Sequence, residues 1–123
     1  MILNGKIEKR KIFEEYYGQP VLVDSERNCV CVLFRVQEMV MSGKKSLTVR
    51  YWITDVETSF EDAKEGAVRT MIGAPVAEME ASHYAYSEWT QGVDYETDLK
   101  IGGHNLDHEL GSNEGKYAWI EIL

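Results

Sequence analysis

The histidines and one aromatic, acid-rich run are the parts of this chain equipped for chemistry beyond folding. His104 and His108 lie four apart in Gly102-Gly103-His104-Asn105-Leu106-Asp107-His108-Glu109. On a helix their imidazoles share one face and supply two ligands for a metal ion, and the two glycines let backbone approach closely. A third ligand has to come through space, from His83 or from Asp94, Glu96 or Asp98. Arg50, Arg69 and Lys100 are the cations that would hold an anionic group at the same turn. The plainer reading puts His104 at the helix start and His108 on its wet side, with Asp107 and Glu109 solvating the surface.

The second constellation is His83-Tyr84-Ala85-Tyr86-Ser87-Glu88-Trp89, followed across a turn by Asp94-Tyr95-Glu96-Thr97-Asp98. Strand alternation puts Tyr84, Tyr86 and Glu88 on one face. With Trp89 they form a rigid aromatic anchor set among carboxylates, the kind of surface that grips a partner. The competing reading makes the tyrosines half-buried core with their hydroxyls at the rim. Trp52, near Arg50, divides in the same way between a stacking site and core packing.

Signatures of the common enzymes are missing: there is no G-x-S-x-G elbow, no GxxxxGK[ST] loop, no GxGxxG turn and no C-x-x-C. Cys29 and Cys31 are the two cysteines. In an extended segment, i and i+2 lack disulfide geometry, and no second thiol pair or nearby histidine completes a zinc site, so both are expected reduced and buried. No cofactor is expected. With 21 acids in 123 residues, close carboxylate pairs arise by chance and none is singled out for acid–base work.

The elements that must position these groups follow from periodicity. Residues 6–17 carry Ile12, Phe13, Tyr16 and Tyr17 at helical spacing before Gly18 and Pro20, which predicts a short amphipathic helix. Pro20–Asp24 reads as a strand. Cys29–Met41 reads as a central strand, paired through the Ser42–Lys45 turn with the alternating run Leu47–Thr54 in a long hairpin. Two overlapping capping boxes, Thr58 with Glu61 and Ser59 with Asp62, predict a main helix over about 58–72 with Phe60, Ala63, Ala67, Val68, Met71 and Ile72 on its apolar face. Residues 76–89 and 93–101 read as strands about a Gln91-Gly92 turn, 104–110 as a short helix, and 117–123 as a last strand. Hairpins outnumber β-α-β units. The expectation is therefore a single α+β domain over residues 1–123: a largely antiparallel sheet of about five to six strands, one main helix, and one or two short helices packed on it.

Charge carries the most functional content. The net charge is −8, yet residues 1–50 hold nine Lys/Arg and six acids while residues 51–123 hold four and fifteen. Residues 51–99 alone have eleven acids against two bases. A field of that sign attracts cationic partners and repels nucleic acid and anionic membrane surfaces. No apolar run reaches the length of a membrane span, and the apolar and basic residues of MILNGKIEKRKIF stand in the wrong order for a signal peptide, so a cytoplasmic protein is expected.

These signals predict a non-enzymatic acidic binding protein that engages and blocks a basic protein, as inhibitors that imitate nucleic acid and immunity proteins do. Its anchors would be Tyr84, Tyr86, Glu88, Trp89, Asp94, Glu96 and Asp98. The alternative is a small anionic-ligand-binding or metal-dependent protein using His104 and His108. A third reading is a homodimer whose sheet edges or apolar face pair across a two-fold. Plain solubility is the bland account of the same charge.

Overall fold

A computed structural model of the chain describes residues 1–10, 19–85 and 91–123, with the side chains of 10, 19, 78–85 and 91–97 outside that description. Nine strands and three helices follow in the order β1 (Ile2–Arg10), β2 (Gln19–Val23), β3 (Cys29–Cys31), α1 (Val32–Met41), β4 (Leu47–Thr54), α2 (Phe60–Ala63), β5 (Arg69–Gly73), β6 (Pro75–Ala85), β7 (Gln91–Ile101), β8 (His104–Asn105), α3 (Leu106–Gly111) and β9 (Tyr117–Ile122) among the described residues. Six form one antiparallel sheet in the order β3-β2-β1-β9-β4-β5, and the other three form a second, β6-β7-β8. The α+β class expected from the hairpin-rich pattern is what the chain adopts.

β9 lies inside the large sheet, between β1 and β4. β9 alternates cleanly, burying Ala118, Ile120 and Ile122, and it pairs with β1 on one side and β4 on the other, so that Ile120 stands opposite both Leu3 and Tyr51. One core joins both sheets: Ile7, Leu22, Val49, Met71 and Ile120 from the large sheet meet Leu99 and Ile101 of β7, with Val36 of α1 and Leu106 and Leu110 of α3 among them. Trp52 of β4 and Trp119 of β9 are register partners, and Phe60 of α2 packs on both, with ring centroids 5.5 Å and 5.1 Å away. The Trp119 indole donates to the Thr58 carbonyl at 2.6 Å, fixing the chain just before α2. Trp52 is therefore core, not a stacking site.

Several expected elements are different. The stretch read as a central strand over 29–41 is a three-residue strand followed by α1, and β4 pairs with β5 and β9 instead of with that stretch. Val32, Leu33 and Val36 bury one side of α1, and Arg35 bridges to Glu38 one turn on at 3.0 Å. Tertiary packing of a helical stripe outweighs the strand preference of the β-branched residues. The main helix expected at about 58–72 is one turn. Its start is as read, with the Ser59 hydroxyl accepting from the Asp62 amide at 3.2 Å, whereas Thr58 turns back to the Val56 carbonyl. After Gly66, residues 69–73 leave the helix for the edge of β4, which buries Met71 and exposes Val68 and Ile72. An isolated turn gains little from extension, while a strand edge offers a full ladder of partners.

The helix expected over 6–17 is β1 as far as Arg10, and Ile12, Phe13, Tyr16 and Tyr17 lie outside the described residues. Gln91 and Gly92 stand within β7, paired with Ala85 and Tyr84, in place of the expected turn. Cys29 is exposed and Cys31 half-buried, correcting the expectation that both are buried; both are free thiols.

Candidate functional site

The acidic, aromatic segment belongs to the β6–β7 arm, a two-stranded ribbon of eleven residues on each strand. Its register sets Glu78 opposite Asp98, Glu80 opposite Glu96, Ser82 opposite Asp94 and Tyr84 opposite Gly92. The backbone register thus pairs an acidic residue with an acidic residue at two positions, two residues apart on each strand. Of the expected anchors, Tyr84, Asp94 and Glu96 have their backbone on this ladder and their side chains outside the described residues, where Tyr86, Glu88 and Trp89 lie entirely.

Asp98 stands at the base of the arm with a structural duty. Its Oδ1 accepts from the Asn105 side-chain amide at 2.7 Å. The Asn105 carbonyl oxygen in turn accepts from the His108 amide at 3.2 Å and the Leu99 amide at 3.3 Å. Asn105 is the N-cap of α3, so Asp98 orients the cap and locks the helix to β7.

His104 is not on that helix. It precedes the cap in β8, so the shared helical face that would make His104 and His108 a ligand pair does not form. Its Nδ1 lies 3.2 Å from the Arg69 guanidinium. Because arginine only donates, Nδ1 is the acceptor. His108 is exposed on α3, and no group of three or more metal-ligating side chains occurs among the described residues. Asp107, expected on the surface, is buried at 4% exposure, and its charge helps raise the Cys31 thiol above its ordinary range, after burial itself.

A connected cluster instead gathers around Glu109. Its Oε1 accepts from the Tyr51 hydroxyl at 2.7 Å and from Arg69 Nε at 2.8 Å, and Arg69 reaches on to His104. Tyr51 and Arg69 are register partners on β4 and β5, so the sheet itself aims both at α3. Burial, reinforced by the Glu109 charge, holds the Tyr51 hydroxyl far above the ordinary tyrosine range, so it stays a donor. Arg50 likewise pairs with Glu121 at 3.1 Å. Arg50 and Arg69, expected to hold an anionic group, are thus paired with carboxylates within the fold. Tyr51 is the member of this cluster that no spacing in the sequence pointed to.

A cleft of about 390 Å³ lies where β1, the 24–28 turn and the start of β9 meet, lined by Lys6, Asp24, Arg27, Asp55, Glu57 and Tyr117 among others. Asp24 shapes one wall: its Oδ1 accepts from the Glu26 and Asn28 amides, both at 2.9 Å, and the Asn28 amide foremost holds its carboxyl below the usual range. Burial raises the Tyr117 hydroxyl, which accepts from the Asn4 side-chain amide at 2.5 Å. No protein-family model, curated protein or solved structure matches this chain.

Proposed function

We propose that the chain is a non-enzymatic acidic binding protein that engages a basic protein partner and blocks it, in the manner of an inhibitor or immunity protein. The register of the β6–β7 arm supports this reading. Directly opposed residues of an antiparallel pair stand about 5 Å apart at Cβ, and like charges placed there oppose each other. An arm that keeps Glu78 against Asp98 and Glu80 against Glu96 carries a repulsion that a cationic partner relieves on binding. Residues 76–99 include six acids and no lysine or arginine, and Lys100, two residues beyond Asp98 on the same side of β7, is the one lysine or arginine in the sequence of the arm. Tyr84, at the end of the ladder away from Ile101, begins the run Tyr84, Tyr86, Glu88 and Trp89 that supplies the anchors.

The test is titration of the full chain against a panel of cationic nucleases and toxin domains at about 0.05 and about 0.5 M salt, the higher strength shortening the Debye length to a few ångström. Glu80→Gln/Glu96→Gln is run alongside. We expect a complex that inhibits its target, weakens steeply with salt, and is at least about tenfold weaker for the variant. A panel without a single salt-sensitive complex removes the proposal.

A further inference from the structure

The cleft beside Tyr117 lies on the face of the large sheet turned away from the shared core. Register sets Val23, Lys6, Tyr117 and Thr54 in one row across β2, β1, β9 and β4. Their neighbours Ile7 and Ala118 point the other way, into the core. Phe60 of α2 covers the next row on the same face, Trp52 and Trp119. The row at Tyr117 stays open as the cleft of about 390 Å³, walled by the 24–28 turn and by residues 55–57 after β4. Lys6 and Arg27 stand at its β1–β2 end, Asp55 and Glu57 at its β4 end. Lys6, Arg27 and Glu57 make no ion pair or side-chain hydrogen bond among the described residues, and the ion pair of Asp55 with Lys116 spans 3.8 Å. The acids near the cationic end are already engaged: Asp24 accepts from the Glu26 and Asn28 amides and the Asn28 side chain, and Glu8 has a contact of its own. Between the two ends, the Tyr117 hydroxyl accepts from Asn4 and keeps its own proton to donate.

The backbone marks the same place. Among the described residues, Arg27 is the one non-glycine with a positive φ, at +67°. Glycine adopts that conformation without strain and arginine does not, and what arginine adds is a guanidinium at the cleft wall. We propose that this cleft binds a small dipolar molecule whose carboxylate and cationic group sit at opposite ends of an aliphatic chain, as in free lysine or arginine. The carboxylate lies against Lys6, Arg27 and the Tyr117 hydroxyl, and the cation against Glu57 and Asp55. β1 and β4 are two strand spacings apart, roughly 10 Å, so the two charges belong at the ends of a long chain and not on neighbouring atoms. Val23 and Val56 add apolar wall for the methylenes. A ligand of a single sign leaves one end of the cleft facing like charge. No residue lining the cleft belongs to the β6–β7 arm, so the site does not rest on the proposed inhibitor role.

Isothermal titration calorimetry on the full chain at low salt tests it. The probes are lysine, arginine and 6-aminohexanoate, set against glycine, whose charges are too close together, glutarate, which lacks the cation, and 1,5-diaminopentane, which lacks the carboxylate. At least one of the three long dipolar probes should bind with a Kd of about 1 mM or tighter, and each of the others at least about tenfold more weakly. Arg27→Gly removes the guanidinium and relieves the backbone, so this variant should melt no lower than the parent while losing about tenfold or more in affinity. Glu57→Gln, at an exposed position, should weaken binding likewise and leave the melting curve alone. Lys44→Ala, remote from the cleft, should change neither. Absence of binding by all three long dipolar probes up to about 10 mM overturns the site. So does glutarate or the diamine binding as well as they do, or affinity indifferent to both Arg27→Gly and Glu57→Gln.

Discussion

Tyr51 donates from β4 to a carboxylate on α3, and that carboxylate also holds Arg69 of β5. Replacing Tyr51 with Phe leaves the ring in the core and removes one hydrogen bond to a charged acceptor, a loss of about 1.5–3 kcal/mol in urea unfolding at neutral pH. The pH dependence has a definite sign. Because burial raises the hydroxyl in the folded state, its contribution is complete below the ordinary tyrosine value of about 10. It is lost as the pH climbs above that value, where the unfolded chain ionises first. The urea midpoint of the parent should therefore fall more between pH 8 and pH 11 than that of Tyr51→Phe. Asp24 acts in the opposite direction. Its lowered carboxyl contributes above the unfolded value of about 3.9, and that contribution disappears as the pH drops through the folded value. Asp24→Ala should flatten the acid limb of the stability curve. The Glu109 cluster was not visible as a local pattern, since Glu109 lies 58 residues from Tyr51 and 40 from Arg69, whereas the His104/His108 spacing stood out and did not set the two histidines on one helical face.

Among the elements, α3 depends on its cap. Asn105→Ala removes both the acceptor for the His108 amide and the donor to Asp98, for an expected loss of about 1–2 kcal/mol in thermal or urea unfolding. A double-mutant cycle with Asp98→Ala should show coupling of at least about 0.5 kcal/mol, since one amide joins the two residues. The turn before the cap gives a paired comparison. Gly102 and Gly103 both have positive φ, +57° and +82°, but a Cβ on Gly102 would press into the Ile72 carbonyl while one on Gly103 meets open space. Gly103→Ala should cost about 1 kcal/mol from backbone strain alone, and Gly102→Ala clearly more. Strands with strict alternation, Leu47–Thr54 and Tyr117–Ile122, match the sequence reading almost residue for residue. Segments 29–41 and 58–72 do not: the first begins apolar on both faces and satisfies either period, and in the second the edge of β4 takes residues 69–73.

At the scale of the whole molecule, β9 closes the large sheet by joining β1 to β4. Ile120 is fully buried at that junction, and Ile120→Ala is expected to lower the unfolding free energy by about 2–5 kcal/mol in urea titration, with the whole transition moving together. No helix among the described residues is long and apolar enough to cross a membrane. Charge is distributed unevenly over this fold: the basic first half supplies β1, β2, β3 and α1, and the acidic second half supplies the arm. That unevenness underlies the proposed grip on a basic protein.

The amino-acid sequence by itself determined the α+β class, the alternating strands, the start of α2 at Ser59 and the acidity of residues 76–99, because each depends on neighbours a few residues apart. Tertiary structure alone decided that residues 69–73 pair with β4, that His104 turns to Arg69, and that Glu78 and Glu80 stand against Asp98 and Glu96. Those outcomes are set by which backbone edge and which charged group lies within reach after the chain has closed on itself, and separation along the chain carries no record of that.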